Sequence, residues 1–175
     1  TGRCLMINGY PAFWLEPNIG VTAAQANNPS WPVYTPVSVP GEQTVTGAFW
    51  MFDAEAQRLG LAFFRFYPEA NRPPALRTIR ATEGEEVRFV NSVAYNGRQQ
   101  VTWLQSARIC TAAPDSFSLN LADNDSVAVG AGVVKGGAYL GTIVSQSGGN
   151  KVKATVIPAD RVGALLQKIL SNRSP

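Results

Sequence analysis

The sequence predicts a mainly β protein: an antiparallel β-sandwich or barrel of short strands with one C-terminal helix. Three observations carry that prediction. In the second half, short apolar or alternating runs are broken by turn signals roughly every 8–12 residues. Glycine and proline are frequent, 16 and 12 of 175 residues, which implies many turns. Helical periodicity is clear in one long stretch, near the C-terminus. A hydrophobic fraction of 45% allows a sizeable core, and a charged fraction of only 15% argues against disorder.

The elements follow in chain order. Arg3–Ile7 is a plausible strand stopped by the Asn8-Gly9-Tyr10-Pro11 turn signal. Asn18–Pro32 is small and polar. Pro29 just before it and Pro32, Pro36 and Pro40 within it punctuate Trp31–Gly41, so this stretch reads as an edge or an extended surface loop, because a central strand needs its N–H donors. Thr44–Met51 is a better strand. Asp53–Leu59 has room for one or two helical turns, with Asp53 as N-cap and Gly60 just past the end, or else forms a loop. Leu61–Tyr67 reads as a strand buried on both faces. Leu76–Ala81 and Val87–Val90 suggest a hairpin through Thr82-Glu83-Gly84-Glu85, and Gln99–Cys110 a long strand.

Phe117, Leu119 and Leu121 alternate with polar residues, the period of a half-buried strand. Lys135-Gly136-Gly137 and Ser147-Gly148-Gly149-Asn150 read as turns between further strands. Val162, Leu165, Leu166, Ile169 and Leu170 then follow the i, i+3, i+4, i+7, i+8 spacing of an amphipathic helix, started by Pro158 and Asp160. The whole is expected to be one β-rich domain over 1–175. Its N-terminal part (about 1–57) is loop-rich, and a β-meander with the C-terminal helix fills the rest (about 58–175).

The composition removes much catalytic chemistry. There is no histidine, which excludes a Ser-His-Asp triad, a Cys-His pair and any histidine-bearing zinc site. Neither a cofactor nor a metal is expected. Cys4 and Cys110 sit in strand-like stretches and read as buried free thiols, with a bridge between them left open. Eight arginines and no lysine lie between Arg58 and Arg108, interleaved with Glu69, Glu83, Glu85 and Glu86. That pattern reads as solvated strand faces with Arg–Glu pairs rather than a nucleic-acid surface, and no apolar run is long enough to insert into a membrane.

Four candidate sites stand beside plainer structural readings. Asp123-Asn124-Asp125 offers calcium-type oxygens but lacks the glycine and distal glutamate of an EF-hand loop. Glu85-Glu86 and Asp53/Glu55 are carboxylate pairs of the kind a glycosidase uses. Gly130–Gly137 looks like a phosphate loop, but a strand pattern follows its lysine where a helix is needed. Asn27, Asn28, Trp31 and Tyr34 combine aromatic faces with amides, the set that holds a sugar; Trp31 has core packing as its alternative. With Arg3 the only Lys or Arg from Thr1 to Gln57, a neutral glycan or a polar protein loop suits that segment better than an anion.

The run Leu59-Gly-Leu-Ala-Phe-Phe-Arg-Phe-Tyr-Pro-Glu69, followed by Leu76–Ala81 and Glu83-Gly-Glu-Glu-Val-Arg-Phe89, resembles the outer domain of calicivirus-like capsid proteins. The resemblance implies a non-enzymatic protruding (spike) domain on the virion surface, homodimeric and attached to a host receptor, with a neutral glycan as one candidate. It transfers no binding residue to this chain. Two other functions remain open: a carbohydrate-binding module or lectin, and a glycoside hydrolase using a carboxylate pair. The apolar surface of Leu61–Tyr67 and the C-terminal helix also argues for a homodimer.

Overall fold

The computed structural model describes residues 4–7, 10–16, 19–26, 35–38, 45–66, 76–95, 99–121, 129–147 and 152–173. Six strands form a first closed barrel: β1 (Cys4–Ile7), β2 (Tyr10–Glu16), β3 (Ile19–Ala23), β4 (Thr35–Ser38), β5 (Val45–Met51) and β6 (Leu61–Phe66). Around the ring they run β1-β2-β3-β6-β5-β4, and β4 pairs back to β1. Six more form a second: β7 (Glu86–Tyr95), β8 (Gln99–Ala112), β9 (Phe117–Leu121), β10 (Gly132–Lys135), β11 (Ala138–Ser147) and β12 (Val152–Pro158). Read from β7, that ring runs β7-β8-β9-β12-β11-β10 and closes on β7. The two barrels therefore share one strand order, and every ladder in them is antiparallel. The expected mainly β, antiparallel barrel with one C-terminal helix is what the chain forms.

Among the described residues two α-helices complete the fold. In α1 (Ala54–Leu59) the Asp53 carboxylate accepts from the Ala56 N–H at 3.0 Å, and Gly60 ends the helix at φ +91°. Both caps are those expected from the residue types. In α2 (Ala159–Arg173) the residues Val162, Leu165, Leu166 and Ile169 are buried. They join a cluster with Phe13, Val21, Met51 and Phe63 of the first barrel and with Tyr139, Val144 and Ile157 of the second. Of the apolar surface that suggested a homodimer, Leu61–Phe64 and the helix residues Val162, Leu165, Leu166 and Ile169 are buried within the chain. The second barrel has its own core, built on Phe89, Ile109, Phe117, Leu119, Val133 and Val156.

Three local expectations change. The proline-punctuated stretch contains a strand paired on both sides: β4 bonds to β1 and β5. It tolerates Pro36 because the register slips between Thr35 and Val37, and a bulge needs no N–H from its extra residue. Leu76–Ala81 does not pair with β7 as a hairpin. Thr78 instead makes an isolated parallel bridge to Tyr139 of β11. Finally, Cys110 is a half-exposed free thiol rather than a buried one.

Ion pairs tie α1 to α2. Lys168 Nζ lies 2.8 Å from the Glu55 carboxylate and 3.4 Å from that of Asp53. The hydrogen bond from Lys168, reinforced by its charge, holds the Glu55 carboxyl below its ordinary value. A lowered pKa contributes stability that is present above the unfolded value, about pH 4.5, and is lost as pH falls through the folded value. Both groups are exposed, so the effect is small. The melting temperature of the native chain is expected to fall more steeply between about pH 5 and pH 3 than that of Glu55→Gln. Parallel slopes would show that the pair contributes nothing.

Candidate functional site

Three of the carboxylates singled out in the sequence, Asp53, Glu55 and Glu85, are held in ion pairs. Asp53 caps α1 and, with Glu55, receives Lys168. Glu85 pairs with Lys135, whose ammonium keeps the Glu85 carboxyl low. Glu86 stands opposite Arg108 in the β7–β8 ladder. In Gly130–Gly137 the glycines Gly136 and Gly137 form the β10–β11 turn and a strand follows, so no helix N-terminus is available for a phosphate. Asp123, Asn124 and Asp125 lie outside the described residues, as do Asn27, Asn28, Trp31 and Tyr34. Among the described residues no three His, Cys, Asp or Glu side chains gather as a metal site, and no helix is long and apolar enough to cross a membrane.

The thiol of Cys110 sits 3.0 Å from the Ser118 hydroxyl and 3.6 Å from that of Thr111. Partial burial pushes its pKa up. The two hydroxyls and the charge of Lys153 outweigh that and bring it below the ordinary thiol value.

What the fold gathers most closely is the junction between the barrels. The ring of Phe13 stacks on that of Tyr139 with centroids 4.6 Å apart and planes at 12°. Gly132 makes that approach possible, since a Cβ there would come 2.4 Å from the Phe13 ring. The Tyr139 hydroxyl bonds to Thr142, and its full burial raises its pKa well above the ordinary phenol value. Next to this stack, Gly130 (φ +105°) donates its N–H to the Ile143 carbonyl at 2.7 Å. A Cβ on it would lie 2.4 Å from the Pro11 carbonyl oxygen and 2.6 Å from Thr22 Oγ1. Thr22 itself donates to the Pro11 carbonyl at 2.8 Å.

Directly after β3 the chain makes a 3-10 turn, Ala24–Ala26, which leaves Gln25 exposed. The Ala24 N–H donates to the Gly60 carbonyl at 2.7 Å. Three separated parts of the chain therefore converge here: the turn bearing Gln25, the turn at Gly60, and the segment entering β10 through Gly130. From the first barrel these turns supply an amide side chain and backbone groups. A glutamine amide donates and accepts hydrogen bonds but takes up no proton near neutral pH.

No family model matches the sequence, and no curated protein matches it. Solved structures do. The chain is similar to an inactive form of Rv3671c from M. tuberculosis H37Rv carrying a serine-to-alanine mutation, at TM-score 0.71 and 18% identity over 98% of this chain and 87% of that one. It is similar to a second inactive form of the Rv3671c protease at TM-score 0.69 and 17% identity, covering 96% and 89%. Kallikrein-related peptidase 10 in complex with Zn2+ matches at TM-score 0.70 and 12% identity, covering 97% and 95%.

The fold is chymotrypsin-like.

That likeness overturns the capsid reading. The chain folds as two barrels of one strand order, and the Leu61–Phe66 run behind the resemblance is a barrel strand entered from a capped helix. The viral spike, the virion-surface location and the host-receptor role fall with it, and the lectin and glycosidase alternatives have no support among the similar structures. The expectation of a non-enzymatic protein is withdrawn on the same ground, because these structures are proteases. Gln25 and Gly60 carry no functional signal in the sequence, because neither is a reactive residue. Only the barrel junction draws attention to them.

Proposed function

We propose that this chain acts on polypeptides, and that its working surface is the barrel junction at Gln25 and Gly60. The chymotrypsin-like double barrel is the observation that carries the proposal. The three converging parts come in the chain order in which a chymotrypsin-type triad supplies its His, Asp and Ser. On this reading Gln25 occupies the place of the base and Gly60 that of the orienting carboxylate. The serine belongs to the run between β9 and Gly130, where the sequence has Ser126. With no histidine in the chain, peptide-bond cleavage on this surface uses a base other than imidazole.

The test uses a labelled pool of unfolded peptides, with binding read by fluorescence anisotropy and cleavage by mass spectrometry. Saturable binding is expected, weakened by Gln25→Trp, which adds bulk at an exposed position without disturbing the core. Unchanged binding by that variant would place the working surface elsewhere. Between about pH 5.5 and 8, binding and any cleavage are expected to show no inflection near 6.5, the pKa an imidazole base would impose.

A further inference from the structure

We propose a second polypeptide-binding surface on the second-barrel side: a groove in which an extended peptide adds as a strand to Thr78–Ala81. Two observations point to it. The first is an open backbone edge. Among the described residues the chain around Thr78 is bonded on one side only, with the Ile79 N–H donating to the Tyr139 carbonyl at 3.1 Å and the Tyr139 N–H donating to the Arg77 carbonyl at 2.8 Å. In extended chain the groups of the intervening residues point the other way. Those of Thr78 and Arg80 find no backbone partner among the described residues. Such an edge is a template for another strand.

The second observation is what lies along that edge. A cleft of about 530 Å³ runs between Thr78–Ala81 and the β8–β9 turn, within the size range of ligand sites. Phe117 and Pro158 form its apolar floor, and Ala113 and Pro114 its far rim. Its two charged lining residues are Arg80 and Asp160, both exposed and of opposite sign. Neither forms an ion pair among the described residues, whereas the neighbouring Asp115 and Arg161 pair with each other at 3.3 Å. The complementary occupant is an extended peptide with one acidic side chain for Arg80 and one basic side chain for Asp160, separated by small or β-branched residues. None of the lining residues belongs to the barrel junction, so this groove stands or falls independently of the function proposed there.

The probe is a fluorescein-labelled octapeptide of alternating Val and Thr with a single Glu and a single Lys, titrated against the full chain. Saturable binding is expected, about tenfold weaker when alternate backbone amides of the peptide are N-methylated, since each methyl group removes a strand hydrogen bond. Ala113→Trp, at an exposed rim position, is expected to abolish binding with the melting temperature unchanged. Asp160→Lys is expected to reverse the preference from the Glu/Lys peptide to a Glu/Glu one. Gln25→Trp is expected to leave this binding unaltered. Absence of saturable binding, equal binding by folded Ala113→Trp, indifference to N-methylation, or self-association of the chain through this edge in sedimentation would each overturn the proposal.

Discussion

Gly130→Ala is expected to lower the melting temperature by about 10 °C. The residue sits at φ +105°, where a side chain costs on the order of 1–3 kcal/mol in backbone strain. The added methyl would also meet the Pro11 carbonyl oxygen at 2.4 Å and Thr22 Oγ1 at 2.6 Å. Neither can retreat cheaply. Thr22 is bonded to that same carbonyl, and Gly130 is held from its other side by the Ile143 carbonyl. Overpacking of this kind adds roughly 1–3 kcal/mol. A total of about 3–5 kcal/mol, at about 2–4 °C per kcal/mol for a chain of this size, gives the stated shift. Gly136→Ala is the control: it has positive φ (+57°) but open space around its Cβ. If both variants lose the same few degrees, the close approach at Gly130 contributes nothing beyond strain.

Phe13→Ala should cost about 3–5 kcal/mol in urea denaturation, of which roughly 0.5–1.5 is the lost aromatic stack. Phe13 is 1% exposed and its ring lies flat against Tyr139 of the other barrel. The backbone at Gly132 is already in contact with the ring edge and is bound into the β10–β11 ladder, so the wall cannot collapse into the space left behind. A loss below about 1.5 kcal/mol would mean that the barrels close over the gap and that the stack does not hold the junction.

What the residues announce in advance is local. The helical spacing from Val162 to Leu170, the caps at Asp53 and Gly60, and the turn at Gly136-Gly137 each depend on neighbours a few positions apart, so each is written in a short window of sequence. Barrel closure is different. The pairing of β1 with β4 and of β7 with β10 joins strands far apart in the chain and leaves no periodic trace. β2 was illegible for a related reason. Ala12, Phe13, Trp14 and Leu15 are all buried, so the strand has no polar face to mark alternation. The site was harder still. At 12–18% identity the similar structures share backbone with this chain more than residues. The missing histidine that excluded a triad also removed the residue by which such a fold is usually noticed. Leu76–Ala81 misled because an extended run of mixed apolar and polar residues reads the same whether it enters a hairpin or lies along one edge of a barrel.

The strands of each barrel are consecutive in the chain, and this bears on how the protein is made. All six strands of the first barrel have been synthesised by Phe66, while its partners at the junction come much later: Tyr139, then Ile157, then the apolar face of α2 out to Ile169. At a synthesis rate of about 5–20 residues per second, Phe13, Val21, Met51 and Phe63 wait on the order of 5–20 s for their cover. During that interval the nascent first barrel shows the ribosome's surroundings an apolar face that the finished protein never displays. The pace of translation across residues 67–169 sets how long chaperones have to occupy it.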